Sequence, residues 1–507
     1  MSQLMPTTVI RDVRILPLTD TDVPDRPVDL LVRDGVVAKI GPDLDDTHAE
    51  DVVEAAGRWV APALWDGHVH LTQWALAASR LDLRGAASVA DALRRVDEHL
   101  AGQAEADRHT VVVAWGHRSA SWEPQPTVAA LDEVSGGRAV VLVSGDGHHG
   151  WLSSRALDLL GLPPRQNVVD EAEWFDAFAR LGELPGGPDE EQAVRDAVAG
   201  ANAKGLVGIT DFELKGTLTD WPARVAAGID TLRVRAGFYA ADLDAAFATG
   251  LEHGMPLPGG RGLVTLGPLK IISDGSLNTR TAYCREPYAD AAAPAFPYGK
   301  RNLDPEQMRE LVEAAHEHDL ESAVHAIGDE AVAEALEVFR VVGARGSIEH
   351  AQLMRWQDVP VMGRLGLRAS VQPAHLLDDR DVTMQCWPDR SDRCFIFRRL
   401  LDEGIGLVLG SDAPVSPLDP WLAMAAAVHR SGDEREPWHP EQSLSPREAL
   451  QASTHGHGTV GVGSHGDLVL LDADPLASGS SAERAERLRT MSVGATLVAG
   501  RVVYSRF

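Results

Sequence analysis

The stretch "APALWDGHVHL" sets His68 and His70 two residues apart in an apolar run, just after Asp66 and Gly67. Side chains at i and i+2 of a strand share a face, so both imidazoles point to one place. Neutral imidazole is a common ligand for zinc and similar ions, and such a pair supplies two arms of a metal site. Two satisfied core histidines would produce the same pattern, so further donors must decide between the readings. The chain offers Lys270 in "LKIISDG", His325 in "AVHAIGD", His350 in "IEHAQ" and Asp412 in "LGSDAP". Each stands near the C-terminal end of an apolar, strand-like run. A snorkelling lysine, a packed histidine or an aspartate turn would explain any one of them, but not all of them together.

The elements that must position these groups alternate in type. Eight candidate strands ("RWVAPALWDGH", "GLVGITDFEL", "LRVRAGFYA", "LGPLKIISDG", "ESAVHAIGD", "GSIEHAQ", "LRASVQPAH", "GIGLVLGSDAP") are separated in several places by helices of 3.6-residue apolar spacing, such as "DPEQMRELVEAAHEHD". This predicts an α/β fold, a (β/α)8 TIM-type barrel, in which residues at the C-terminal strand ends form the catalytic face. A small β-sandwich is expected from both termini: short alternating strands over residues 1–60, with an Asp34-Gly35 hairpin turn, and similar strands over 455–507. Barrel strand one occupies 61–74, and the rest of the barrel 201–454. Residues 75–200 are too many for a loop and form an insertion with its own strands and helices. It follows a strand's C-terminal end and is expected to cover the site as a lid.

Composition narrows the partners. The 507-residue chain carries a formal charge of −28, from 75 acidic and 47 basic residues, which opposes binding to nucleic acid or to anionic membrane surfaces. No run approaches the roughly 18 apolar residues of a spanning helix, and the first residues lack a signal-peptide pattern, so a cytoplasmic protein is expected. Cys284, Cys386 and Cys394 are too few and too scattered for a disulfide framework and read as ordinary thiols. No G-x-G-x-x-G opens a helix after the first strand, and no G-x-S-x-G elbow occurs, which removes dinucleotide-binding and serine-hydrolase readings.

The set "DGHVHL", "DGHHGWLSSRAL", "LKIISDGSLNTRTAYCREPY", "HAIGDEAV", "IEHAQ", "SVQPAH", "GSDAPVSPLDPW" and "GDLVLLDADP" resembles the amidohydrolase superfamily of metal-dependent hydrolases, most of all the branch that includes N-substituted formamide deformylase. The resemblance spans nearly the whole chain. It implies that His68, His70, Lys270, His325, His350 and Asp412 hold one or two zinc-type ions, with Lys270 open to carboxylation by carbon dioxide to a bridging carbamate. Such an ion brings the pKa of water down to about 7 and polarises a carbonyl. Asp412 is then the catalytic residue, accepting the proton of the attacking water and delivering it to the leaving amine. Asp146 and His148, matching the family's DGH element, together with His375 and Arg280, are candidates for binding a small-molecule substrate; Arg280 suits a substrate carboxylate, or equally an anchor within its own loop.

Hydrolysis of a non-peptide C–N bond is therefore expected: an N-formyl or N-acyl amine, or a cyclic amide. A carbamate or ester hydrolase, an isomerase or lyase on the same metal, and a non-catalytic metal- or ligand-binding barrel are the alternatives. Several of the twelve tryptophans (Trp74, Trp115, Trp122, Trp151, Trp387) could line an apolar pocket or simply pack. The chain departs from the family at "THGHGTVGVGSHGD", where relatives carry an extra helix and a longer turn. His455, His457 and His465 in that loop read as solvated rather than as a second metal site, because flexible loops orient ligands poorly. A homodimer is the commonest assembly for such a chain and is compatible with the sequence.

Overall fold

The computed structural model describes residues 6–78, 80–103, 110–117, 119, 122–144, 149–181, 184, 189–289 and 296–507. The chain divides into two compact units: one runs to Leu71 and resumes at Val198, and the other is Thr72–Ala197.

In the first unit, eight parallel strands lie side by side in chain order: Leu64–Val69, Leu206–Asp211, Arg233–Phe238, Val264–Ile272, Ser322–Ala326, Gly346–His350, Arg368–Val371 and Leu407–Leu409. The eighth returns to the first through a bridge between Val69 and Ala413 and two backbone bonds, Asp412 N to the His68 carbonyl (2.7 Å) and His70 N to the Ala413 carbonyl (2.9 Å). The seam of the TIM barrel is thus built from the two segments that carry His68, His70 and Asp412. It also demands a bare backbone: a Cβ on Gly410 would stand 2.7 Å from the His68 nitrogen.

The same unit holds the sandwich. Strand Thr8–Ile15 pairs with Val28–Arg33, Asp51–Glu54 and Trp59–Pro62, and the last of these pairs with Leu468–Leu471, followed by Val493–Val498 and Arg501–Ser505. Inward residues from both ends of the sequence, including Ile10, Leu30, Val32, Val60, Leu468, Leu470 and Leu497, form one core. The predicted hairpin turn is present, with Arg33 opposite Val36 and both Asp34 and Gly35 at positive φ (52° and 75°), as a tight two-residue loop requires. The run "RWVAPALWDGH", read as one strand, is two. At Ala63 the chain changes partners: Ala63 N bonds the Asp467 carbonyl of the sandwich (3.0 Å) and Leu64 N the Gly205 carbonyl of the barrel (2.8 Å).

The second unit has its own five-stranded sheet, ordered Val169–Asp170, His149–Leu152, Val140–Ser144, Val112–His117 and Leu81–Asp82. Two apolar clusters pack on it, one around Val141, Val143 and Trp174 and the other around Leu83, Val96, Leu142 and Trp151. Trp151 and Trp387 are fully buried, and Trp122 nearly so, so these three serve packing rather than an open pocket. The three cysteines are buried and free. Among the described residues no helix is long and apolar enough to cross a membrane.

Candidate metal centre

His68, His70, Lys270, His325, His350 and Asp412 all lie within three residues of the C-terminal ends of barrel strands. His68 is the hub. Its Nδ1 lies 2.7 Å from Glu349 Oε2, and its Nε2 lies 3.2 Å from Lys270 Nζ and 3.5 Å from Asp412 Oδ1. His70 Nε2 lies 3.5 Å from the same Asp412 oxygen. The donor atoms of His68, His70 and Asp412 fall within 4.8 Å of one another, and so do those of His350, His375 and Asp412. The His350 ring stands 5.1 Å from that of His68 and 4.5 Å, edge-on, from that of His325.

Hydrogen bonds choose which nitrogen of two rings carries the proton. His68 donates from Nδ1 to Glu349, leaving the Nε2 lone pair on the cluster side, where it accepts from Lys270 Nζ (3.2 Å). His325 donates from Nε2 to the Gly275 carbonyl (3.3 Å), with Asp274 Oδ1 at 3.4 Å, leaving its Nδ1 lone pair. Burial holds His68 and His350 below the usual imidazole range and takes His325 down to about 3. These rings are therefore neutral, the state a metal ligand must have. The His68–Glu349 contact is accordingly a charge-assisted hydrogen bond rather than an ion pair. Burial alone would raise Glu349, but the bond from His68, the Lys270 charge and the Ser347 hydroxyl (2.5 Å) bring it to about 2. For Asp412, burial is outweighed by His68 and His70, so its carboxyl sits well below the ordinary value.

Lys270 is 3 % exposed and rests over the Phe212 ring at 4.4 Å. Desolvation lowers its ammonium to about 8, against the pull of Glu349 and Asp412. The backbone is held in the left-handed region at His350 (φ 70°), Ala351 (44°) and Asp412 (55°), positions that cost roughly 1–3 kcal/mol each and persist where the surroundings impose them. Asp66 ties the seam, accepting from His68 N and Ser411 N at 3.0 Å, and burial raises it to about 6. Asp274 accepts from the backbone of Tyr283 (2.8 Å), Ile327 (3.1 Å) and Gly328 (2.8 Å), fixing the loop after His325.

The nitrogens His70 Nδ1, His350 Nδ1 and His375 Nε2 are buried and make no hydrogen bond. Each such group costs about 1–3 kcal/mol unless something fills the gap. A cation among imidazoles and a carboxylate fits this donor set. Of the remaining expected site residues, His375 opens helix His375–Cys386 and its Nε2 lies 3.9 Å from Asp412 Oδ2. Arg280 donates from Nη1 to the Asn278 carbonyl (2.8 Å), a bond within its own loop. Asp146 and His148 lie outside the described residues. In the shortened loop, His455 stacks on Trp65 at 4.1 Å, and the His457 and His465 rings stand 4.8 Å apart; among the described residues no third metal-capable donor joins that pair.

The sequence pattern of the amidohydrolase family matches residues 51–504. The chain belongs to that family. It is similar to the protein LONG AFTER FAR-RED 3 of Arabidopsis thaliana, with 26 % identity over 94 % of this chain and 88 % of that one. It is also similar to N-substituted formamide deformylase of Arthrobacter pascens, with 23 % identity over 94 % and 95 %. Among solved structures, a metal-dependent hydrolase from Pyrococcus horikoshii superposes with a TM-score of 0.76 at 23 % identity, covering 93 % of this chain and 98 % of that one. This amidohydrolase is a metal-dependent hydrolase acting on carbon–nitrogen bonds other than peptide bonds.

Glu349, Asp66 and Asp274 were not among the residues expected from sequence. For Glu349 the bond to His68 has a measurable consequence in this amidohydrolase. Glu349→Ala removes the acceptor of the His68 proton, freeing the ring to rotate or to change tautomer. The affinity for zinc, read by competition with a coloured chelator, falls about 10–100-fold. Glu349→Gln, which keeps an acceptor but not the charge, falls less. Equal affinity in all three proteins would show that His68 needs no support.

Proposed function

We propose that this amidohydrolase cleaves an N-formyl or N-acyl amine, or a cyclic amide, with zinc bound at the barrel mouth. The observation that carries the reading is the convergence of His68, His70 and Asp412 on one point, flanked by His325, His350 and Lys270, with buried imidazole nitrogens left unbonded. His68, His70, His325, His350, Asp412 and Lys270 would hold the ion or ions. A bound zinc supplies a more acidic water and a polarised carbonyl. The side chains do the rest. Asp412, held ionised, accepts the proton of the attacking water and returns it to the leaving nitrogen. A lysine lowered to about 8 is a neutral amine for an appreciable fraction of the time. That amine can attack carbon dioxide, and the carbamate formed has the oxygen donors that an ammonium lacks. His375 and Arg280 would meet the substrate. The deformylase relative, matched over nearly its full length, supports an amide of small acyl group. Carbamate or ester cleavage is the close alternative.

The test combines elemental analysis with a screen of N-formyl and N-acyl amines in labelled water. Purified protein is expected to hold one or two zinc-type ions per chain, to lose turnover on chelation, to regain it with zinc, and to place solvent oxygen in the acid product. Protein that takes up no metal from supplemented medium would instead point to a ligand-binding barrel. Product without solvent oxygen would point to an isomerase or lyase.

A further inference from the structure

One buried carboxylate joins three of the segments that follow barrel strands, and the chemistry above makes no use of it. Asp379 is 6 % exposed. Its Oδ1 accepts from Asn278 Nδ2 (2.9 Å), in the loop after strand Val264–Ile272, and its Oδ2 accepts from Gln352 Nε2 (3.0 Å), just beyond His350. It lies in helix His375–Cys386, one turn after His375, and residues four apart share a helix face. Gln352 is itself buried, and its carbonyl accepts from Phe395 N (2.8 Å).

A carboxylate is a costly way to tie loops together. Burying a charge is expensive unless it is well compensated, and here both oxygens accept from neutral amides rather than from a cation. What the carboxylate adds is polarity. It offers acceptors and no donor, so both amides must present N–H to it and each is held in one orientation. Asn278, fixed in this way, accepts at its carbonyl from Arg280 Nη1 (2.8 Å). The Arg280 backbone is left-handed (φ 55°), a conformation that its surroundings must impose. We infer that Asp379 is a positioning residue for the substrate, setting Arg280 through Asn278 and His375 through their common helix. The inference rests on the reading of Arg280 and His375 as substrate contacts.

An exchange of polarity tests it. In Asp379→Asn the new amide nitrogen meets the amide of Asn278 or Gln352, donor against donor, and one bond is lost. Asn278→Asp sets two carboxylates face to face. Together the two changes restore the pair: the new amide donates to the new carboxylate while its oxygen still accepts from Gln352. With the N-acyl amine that wild type cleaves fastest, KM is expected to rise on the order of tenfold in each single variant, with kcat per bound zinc within a few-fold. In the double variant KM is expected to return to within a few-fold of wild type. A purely structural tie would lower the melting temperature and leave KM where it was. That result, a loss confined to kcat, or a double variant no better than the single ones overturns the inference. If Asp379→Asn does not fold, Asn278→Ala, at an exposed position, takes its place: a raised KM supports the inference and an unchanged KM overturns it. Should wild type cleave no amide, the proposed reaction falls, and hydrogen exchange over residues 276–281 decides the role of Asp379. Exchange that quickens in the single variants and slows again in the double variant supports it, and exchange unchanged throughout overturns it.

Discussion

His68→Ala/His70→Ala is expected to leave a folded barrel that no longer retains zinc through dialysis and no longer turns over. The two side chains supply two of the three donors of the set that shares Asp412 Oδ1. Removing both costs far more than the roughly 10–100-fold in affinity of an outer-sphere change. Without the ion, water returns from a pKa of about 7 to its bulk value. Even if only half of that change of roughly nine units is expressed in rate, turnover drops on the order of 10⁴-fold. Stability should change less, because Asp66 still ties the seam to Ser411. Metal content by elemental analysis and a melting curve on the same sample separate the two effects. A double variant that keeps its zinc would move the centre away from strand one.

The second large effect is expected at Asp412. An asparagine there keeps the volume and one carbonyl oxygen, but it cannot accept a proton at pH 7. General acid–base participation contributes about 10²–10⁴-fold, so kcat of Asp412→Asn, normalised to bound zinc, should fall within that range. KM should move little, because the side chain acts on the reacting water rather than on substrate binding. Full turnover in a zinc-loaded Asp412→Asn protein would take the proton from Asp412 and require another acceptor.

The barrel was legible because its eight strands end in groups that are out of place in apolar runs. Strand periodicity put His68 and His70 on one face, and the structure places both beside Asp412. The same rule could have found Asp66, two residues before His68 and on the same side. It could not have found Glu349. Alternation sends residues 349 and 350 to opposite faces, yet both meet His68, because the left-handed backbone at His350 and Ala351 breaks the alternation. A β-strand that ends in a strained turn hides its penultimate residue from any period-two reading. His375 was visible as a residue after strand seven, but its approach to Asp412 Oδ2 depends on where a helix begins, which periodicity does not fix to one residue. The division of "RWVAPALWDGH" at Ala63 was hidden for another reason: both halves are buried strands, and only their partners differ.

That division sets an order of events during synthesis. Strand Trp59–Pro62 leaves the ribosome early, but its neighbour Leu468–Leu471 is made some four hundred residues later. Throughout the interval one edge of the sandwich is an unpaired apolar strand, the kind of edge that recruits strands from other chains. The residues of the barrel seam, Asp412 and Ala413, emerge well before Leu468–Leu471, which covers the open edge of Trp59–Pro62. A chain that stopped between these two points would keep that edge open, so aggregation is the expected consequence of an incomplete copy.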